Sequence, residues 1–137
     1  MQHWLLKSEP SAYSWDQLVK DKSTQWSGVR NYQAAINLKA MKRGDRAFFY
    51  HSNQGLDIVG IVEITKEAYP DPSDATGRFV MVDVKPVMPL KQNVTLAQIK
   101  ADKTLADFAL VRQSRLSVVP VSADEWRIIT KMAGVKA

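Results

Sequence analysis

Asp57-Ile58-Val59-Gly60-Ile61-Val62-Glu63-Ile64-Thr65 is the clearest strand in the chain, rich in β-branched residues. Gly60 interrupts it, which marks a β-bulge or a point where another group closely approaches the backbone. Upstream, Arg46-Ala47-Phe48-Phe49-Tyr50 reads as a strand by aromatic content and length, ending in the polar turn His51-Ser52-Asn53-Gln54-Gly55. Downstream, Tyr69-Pro70-Asp71-Pro72 opens a loop that runs to Gly77. Residues 79–85 then alternate, with Phe79, Met81, Asp83 and Lys85 on one face and Val80, Val82 and Val84 on the other.

Further out, His3-Trp4-Leu5-Leu6-Lys7 is a short apolar run with the pattern of a buried strand. It runs into Ser8-Glu9-Pro10, where proline ends any ladder, so Ser8 and Glu9 arrive at a sheet edge or pocket mouth. Ser14 with Gln17, Thr95 with Gln98 and Ser122 with Glu125 have capping-box spacing and predict three helix starts, the first over residues 15–20. Residues 21–25 read as loop. Residues 31–42 carry an imperfect helical stripe that stops at Arg43-Gly44-Asp45, with Gly44 free to take a left-handed cap. The cations Lys39, Lys42, Arg43 and Arg46 suit a helix C-terminus and need no further explanation. Residues 105–108 predict a helical turn, and residues 116–121 a final strand, an edge one because of Pro120. With no repeat, linker or low-complexity segment, residues 1–137 form one domain. Short strands interleaved with short helices predict an α+β fold on a curved or barrel-like sheet. A doubly wound nucleotide fold is disfavoured because long helices do not alternate with the strands.

The 137 residues suffice to bury a core, and 45% hydrophobic with 24% charged residues is the composition of a soluble globular domain. There is no cysteine. That excludes disulfides, thiolate nucleophiles and Cys-ligated zinc, and fits a reducing compartment, so a cytoplasmic location is expected. The start of the chain lacks the pattern of a signal peptide, and no apolar stretch reaches bilayer length. A formal net charge of +5 favours an anionic partner, nucleic acid being the commonest. Gly55 and Gly60 have the glycine spacing of a Walker loop, but Ile61 follows in place of its lysine, and no Gly-x-Gly-x-x-Gly or nucleophile elbow is present. With two histidines and no cysteine, a zinc deaminase site cannot be built, and no metal or cofactor is expected.

Trp26-Ser27-Gly28-Val29-Arg30-Asn31-Tyr32-Gln33 concentrates two aromatics, a glycine, a permanent cation and two amides. Two readings stand. In one, flat aromatic faces beside hydrogen-bonding groups receive a nucleobase; in the other, Trp26 caps the core and Asn31 starts a helix. Ser8, Glu9, His51, Ser52, Arg115 and Ser117 lie at other strand or loop ends, and a sheet that closes on itself would bring these ends to one mouth.

Trp4 through Pro10, Trp26 through Ala34, Gly44-Asp45 with Phe49-Tyr50-His51-Ser52, and Leu110-Val111-Arg112 through Val118 together resemble the EVE domain family, in order and over nearly the whole chain. The resemblance implies a PUA-like pseudo-barrel of mixed strands with short helices around it. Its wider relatives include RNA-binding PUA domains, YTH domains that read methylated adenine in RNA, and base-flipping readers of modified cytosine. By that resemblance the protein is expected to be a non-catalytic reader of a modified base in DNA or RNA. Ser8, Glu9, Trp26, Asn31, Tyr32, His51 and Ser52 are then candidate pocket residues, and Arg30 and Arg115 support them or contact phosphate. An enzyme acting on a modified nucleotide and a module docking a protein partner are the alternatives. No membrane partner is expected, and a monomer is the favoured state.

Overall fold

The computed structural model describes residues 1–136. In chain order they form β1 (His3–Ser8), α1 (Trp15–Asp21), β2 (Thr24–Trp26), α2 (Tyr32–Ala40), β3 (Arg46–His51), β4 (Asp57–Pro70), β5 (Val80–Thr95), α3 (Leu96–Ala101), a 3-10 turn (Lys103–Leu105), α4 (Ala109–Arg112), β6 (Val118–Val121) and α5 (Ala123–Ala133). The strands make one six-stranded sheet in the order β2-β5-β4-β3-β1-β6. The β1–β3 pair is parallel and the other pairs are antiparallel.

The sheet is strongly curled. Side chains stand roughly perpendicular to a sheet, and strands three places apart in a flat one are separated by about 14 Å. Yet Trp26 on β2 meets Phe49 on β3 edge-on with ring centroids 5.6 Å apart. The β4–β5 ribbon supplies the bend through four register shifts along its length. β2 and β6 remain the two ends of the strand order, and α2 packs against β6 at one end and β5 near the other. The buried Asn37 fastens it there, its Nδ2 donating to the Val118 carbonyl at 2.8 Å. The result is the expected mixed pseudo-barrel, unclosed as a sheet and bridged by a helix.

Two packed faces explain the apolar β3. Phe49 points inward, where Trp15 and Trp26 abut its ring, whereas Phe48 stacks on Trp126 of α5 at 4.0 Å. Ala47, Phe48, Phe49 and Tyr50 are consequently all buried, the pattern of a strand covered on both sides. Both expectations for Gly60 hold. The ladder shifts register between Ile58 and Gly60, and a Cβ built on Gly60 would lie 2.5 Å from the Trp15 ring.

Several sequence readings need correction. Residues 24 and 25, read as loop, join Trp26 in edge strand β2. β4 runs on to Pro70 and β5 to Thr95, through Pro86 and Pro89. Both prolines pair next to register shifts, where a missing ladder donor is tolerated. Ser14 does cap α1, but Gln17 turns away from it to Asp21, so that capping box is half formed. Those at Thr95 and Ser122 are complete. Gly44 has a positive φ of 94° but lies beyond the end of α2, in the turn into β3. The helical turn expected at 105–108 is displaced to either side, into the 3-10 turn and α4.

Candidate functional site

Because β1 and β3 are parallel, their polar C-terminal ends emerge together, with Ser8 opposite His51. The Ser52 N–H donates to the Ser8 carbonyl at 2.9 Å, and Asn53 Nδ2 donates to Glu9 Oε1 at 2.7 Å. Beside this corner a cleft of about 470 Å³ opens between the end of β1, residues 24–30 and Ser117. It gathers five of the ten predicted residues: Ser8, Glu9, Trp26, Arg30 and Ser117. Its volume lies within the ~300–1,000 Å³ of small-ligand pockets.

The other five stand elsewhere, so convergence at one mouth is partial. His51 lines a second depression of about 490 Å³ with Trp15, Asp16 and Asp57. Its Nε2 accepts the Trp15 N–H at 3.2 Å, so the ring serves the start of α1. Ser52 supports Ser8 from behind and lines none of the depressions. Asn31 and Arg115 line a third, of about 360 Å³. Tyr32, 64% exposed, lies on the outer surface with its ring against Phe79 at 5.4 Å. The cause is local: Asn31 Oδ1 accepts the Ala34 N–H at 2.9 Å, and the helix it starts turns the chain out of the cleft.

Both structural roles weighed for this stretch are realised, since Asn31 caps α2 and Trp26 is buried. Only 9% of Trp26 is exposed, too little for a whole ring face, so it forms part of the cleft wall. The rim is held by Asp71, a residue the sequence reading left in a loop. Its fully buried carboxylate accepts the Gly28 N–H at 2.8 Å, the Arg30 guanidinium at 3.3 Å, and the Ser73 N–H and hydroxyl at 2.9 and 2.6 Å. Burial alone would raise the Asp71 carboxyl, but these hydrogen bonds from Ser73, Gly28 and Arg30 outweigh it and hold it down at about 2. The available signal was the Asp71-Pro72-Ser73 spacing of an Asx turn. Arg30 is thereby fixed, its second terminal nitrogen on Ser73 Oγ at 2.8 Å and its guanidinium 5.5 Å from the Phe79 ring centre.

Lys7, Tyr13, Thr24 and Gln25 also line the cleft and were not predicted. Lys7 directly precedes Ser8 and Glu9 at the end of β1, a signal that was available; Gln25 was hidden by the missed strand. Half-buried Lys7 donates through Nζ to the Ser114 carbonyl at 2.9 Å, and burial pushes its ammonium below the usual lysine range. Among the described residues no group of His, Cys, Asp and Glu could hold a metal ion, and no helix is long and apolar enough to cross a membrane.

The sequence matches the EVE domain over residues 2–132. The chain belongs to the EVE domain family. A Rhodopseudomonas palustris protein solved by NMR is 57% identical, with a TM-score of 0.93 and coverage of 98% of this chain and 94% of that one. The human thymocyte nuclear protein 1 crystallised with DNA containing 5-methylcytosine is 34% identical, with a TM-score of 0.90 and full coverage of both chains. A YTH domain of Zygosaccharomyces rouxii, solved with N6-methyladenosine RNA, shares the fold at a TM-score of 0.60 and 16% identity, covering 96% of this chain and 86% of that one. In this EVE domain, the cleft beside β1 and β2 joins a strand end of the parallel pair to an edge strand.

Proposed function

We propose that this EVE domain reads a modified nucleobase, turned out of a DNA or RNA strand into the cleft beside β1 and β2, and releases it unchanged. The observation that supports this most is the end-to-end likeness to a protein crystallised with DNA containing 5-methylcytosine. The cleft is chemically suited to a base: Trp26 contributes an apolar wall, and Ser8, Thr24, Gln25 and Ser117 contribute donors and acceptors for a polar edge. Selectivity for a modification then follows from pocket shape and from whether buried polar groups keep partners. The rim reaches the ligand already ordered, since Asp71 fixes Gly28 and Arg30 beforehand, which lowers the entropic cost of binding.

The test is equilibrium binding to short oligonucleotides carrying 5-methylcytosine or N6-methyladenosine, beside their unmodified counterparts. Wild type should favour one modified strand by tenfold or more, about 1.4 kcal/mol. Ser27 is exposed on the cleft lining, so Ser27→Trp fills the cleft without removing core packing and should erase that preference. Equal binding across the panel, or a preference that survives Ser27→Trp, refutes the reading. Mass spectrometry of the oligonucleotide after long incubation should show no change; a converted base would make the domain an enzyme instead.

A further inference from the structure

The cleft does not end at Ser117. The third depression is lined by Asn31, Gln33 and residues 112–116, so the segment from Ser114 to Ser117 separates it from the cleft as a shared ridge. Four cations line the two openings: Lys7, Arg30, Arg112 and Arg115. Two are neutralised, Arg30 by Asp71 at 3.3 Å and Arg112 by Asp107 at 2.8 Å. Neither Lys7 nor Arg115 has a carboxylate partner among the described residues. The one carboxylate lining either opening, Glu9, accepts a hydrogen bond from Asn53. These two uncompensated charges meet at the ridge: Lys7 reaches the Ser114 carbonyl from the cleft, and Arg115, the next residue, faces the groove.

We propose that the groove carries the sugar-phosphate backbone of the strand whose base enters the cleft, with Arg115 on an outer phosphate and Lys7 on the phosphate at the mouth. The proposal rests on the cleft being the base site. Phosphodiester charge supplies what the ridge lacks, and the amides of Asn31 and Gln33 and the hydroxyl of Ser114 suit phosphate and sugar oxygens. Such contacts hold and orient the strand without reading sequence, so this track fixes register while the cleft supplies discrimination.

Neutralised phosphates are counted by salt. Affinities of wild type, Arg115→Gln, Lys7→Gln and Lys131→Gln are measured over a salt series, using a 5-methylcytosine oligonucleotide and its unmodified counterpart. Lys131 is exposed and lines neither opening. For Arg115→Gln and Lys7→Gln the slope of log affinity against log salt should flatten by about 0.7 on single strands or about 0.9 on duplex. In Arg115→Gln, outside the cleft lining, the ratio of modified to unmodified affinity should stay at the wild-type value, and Lys131→Gln should match wild type throughout. An unchanged slope in Arg115→Gln, or an equal loss in Lys131→Gln, overturns the track. A wild type with no modified-base preference whose slope still falls in Arg115→Gln supports the track and sinks the base cleft. A preserved preference with an unchanged slope does the reverse.

Discussion

Substituting Gly60 by alanine tests the packing of the Trp15 ring on β4. The backbone there accepts alanine, since Gly60 is not in the left-handed region. Considered alone, the change should stabilise a strand by about 0.5–1 kcal/mol through reduced chain entropy. The structure predicts the opposite sign. The new methyl would lie 2.5 Å from Cη2 and Cζ3 of Trp15 and 2.7 Å from Cε3. Carbon atoms pack at about 3.5–4.0 Å, so roughly 1 Å of overlap must be relieved. Trp15 cannot yield cheaply: it is buried, its backbone N–H is held by His51 Nε2, and its ring abuts Phe49. Overpacking costs about 1–3 kcal/mol, and about 1 Å against a held ring falls in the upper part, about 2–3 kcal/mol. Less about 1 kcal/mol for the entropy gain, a net loss of about 1–2 kcal/mol remains. For a domain of this size that lowers the melting temperature by about 3–8 °C. Urea and thermal unfolding of wild type, Gly60→Ala, Trp15→Leu and the double variant give the coupling directly. Gly60→Ala should be nearly neutral or stabilising once Trp15 is leucine. A single Gly60→Ala as stable as wild type, or an equal loss in both backgrounds, would falsify the reasoning.

The clamp at Asp71 predicts a pH dependence. Its folded-state pKa of about 2 lies below the ordinary 3.8, so its stabilisation is complete above about pH 4 and is lost as pH falls through 2. Asp71 is covered by its own loop and Arg30, with solvent close behind, so screening holds the contribution to about 1–2 kcal/mol; acid unfolding of Asp71→Asn should be correspondingly flatter. His3 stacks on Trp126 at 4.3 Å, and burial, the N-terminus and Arg46 lower its pKa below 6.5 against the pull of Asp45. Stability from neutral His3 is therefore full above pH 6.5 and declines below it, and His3→Phe should remove that decline from urea midpoints measured at pH 7 and pH 5. Asn31→Ala deletes the cap of α2 and should cost about 1 kcal/mol. If melting is unchanged in that variant, Asn31 is not holding the helix.

What was legible in the sequence followed from local chemistry. The β-branched run around Gly60, the serine and threonine caps, and Pro120 on an edge strand each name their element because the residue's own backbone and side chain decide the outcome. The long β5 was not legible, since Pro86 and Pro89 read as strand breakers until the paired bulges of β4 are known. β2 was lost for a similar reason: three residues, one of them exposed Gln25, become a strand only by pairing with β5. Ser8 and Glu9 were readable beside an opening because strand ends deliver polar groups there. Tyr32 was drawn in with its aromatic stretch and His51 as the end of a strand, but their positions depend on the Asn31 cap and on the bond from His51 to the start of α1. Only the Asx turn of Asp71 with Ser73 was local; its hold on the rim was hidden because Gly28 and Arg30 are 43 and 41 residues away in the chain.

The place of β1 in the strand order has a consequence for how the protein is made. β1 leaves the ribosome before the other strands of this sheet, but its partners are β3 and, on its other side, β6, which ends at Val121. The β3–β4–β5 meander can form as it emerges, since its antiparallel contacts are between successive strands. Leu5 and Leu6, both fully buried in the finished domain, have no complete shelter until β6 arrives. A nascent chain halted before residue 118 should hold its hairpin core while exposing that strand to chaperones, and cooperative closure should come only with the last strand of the sheet.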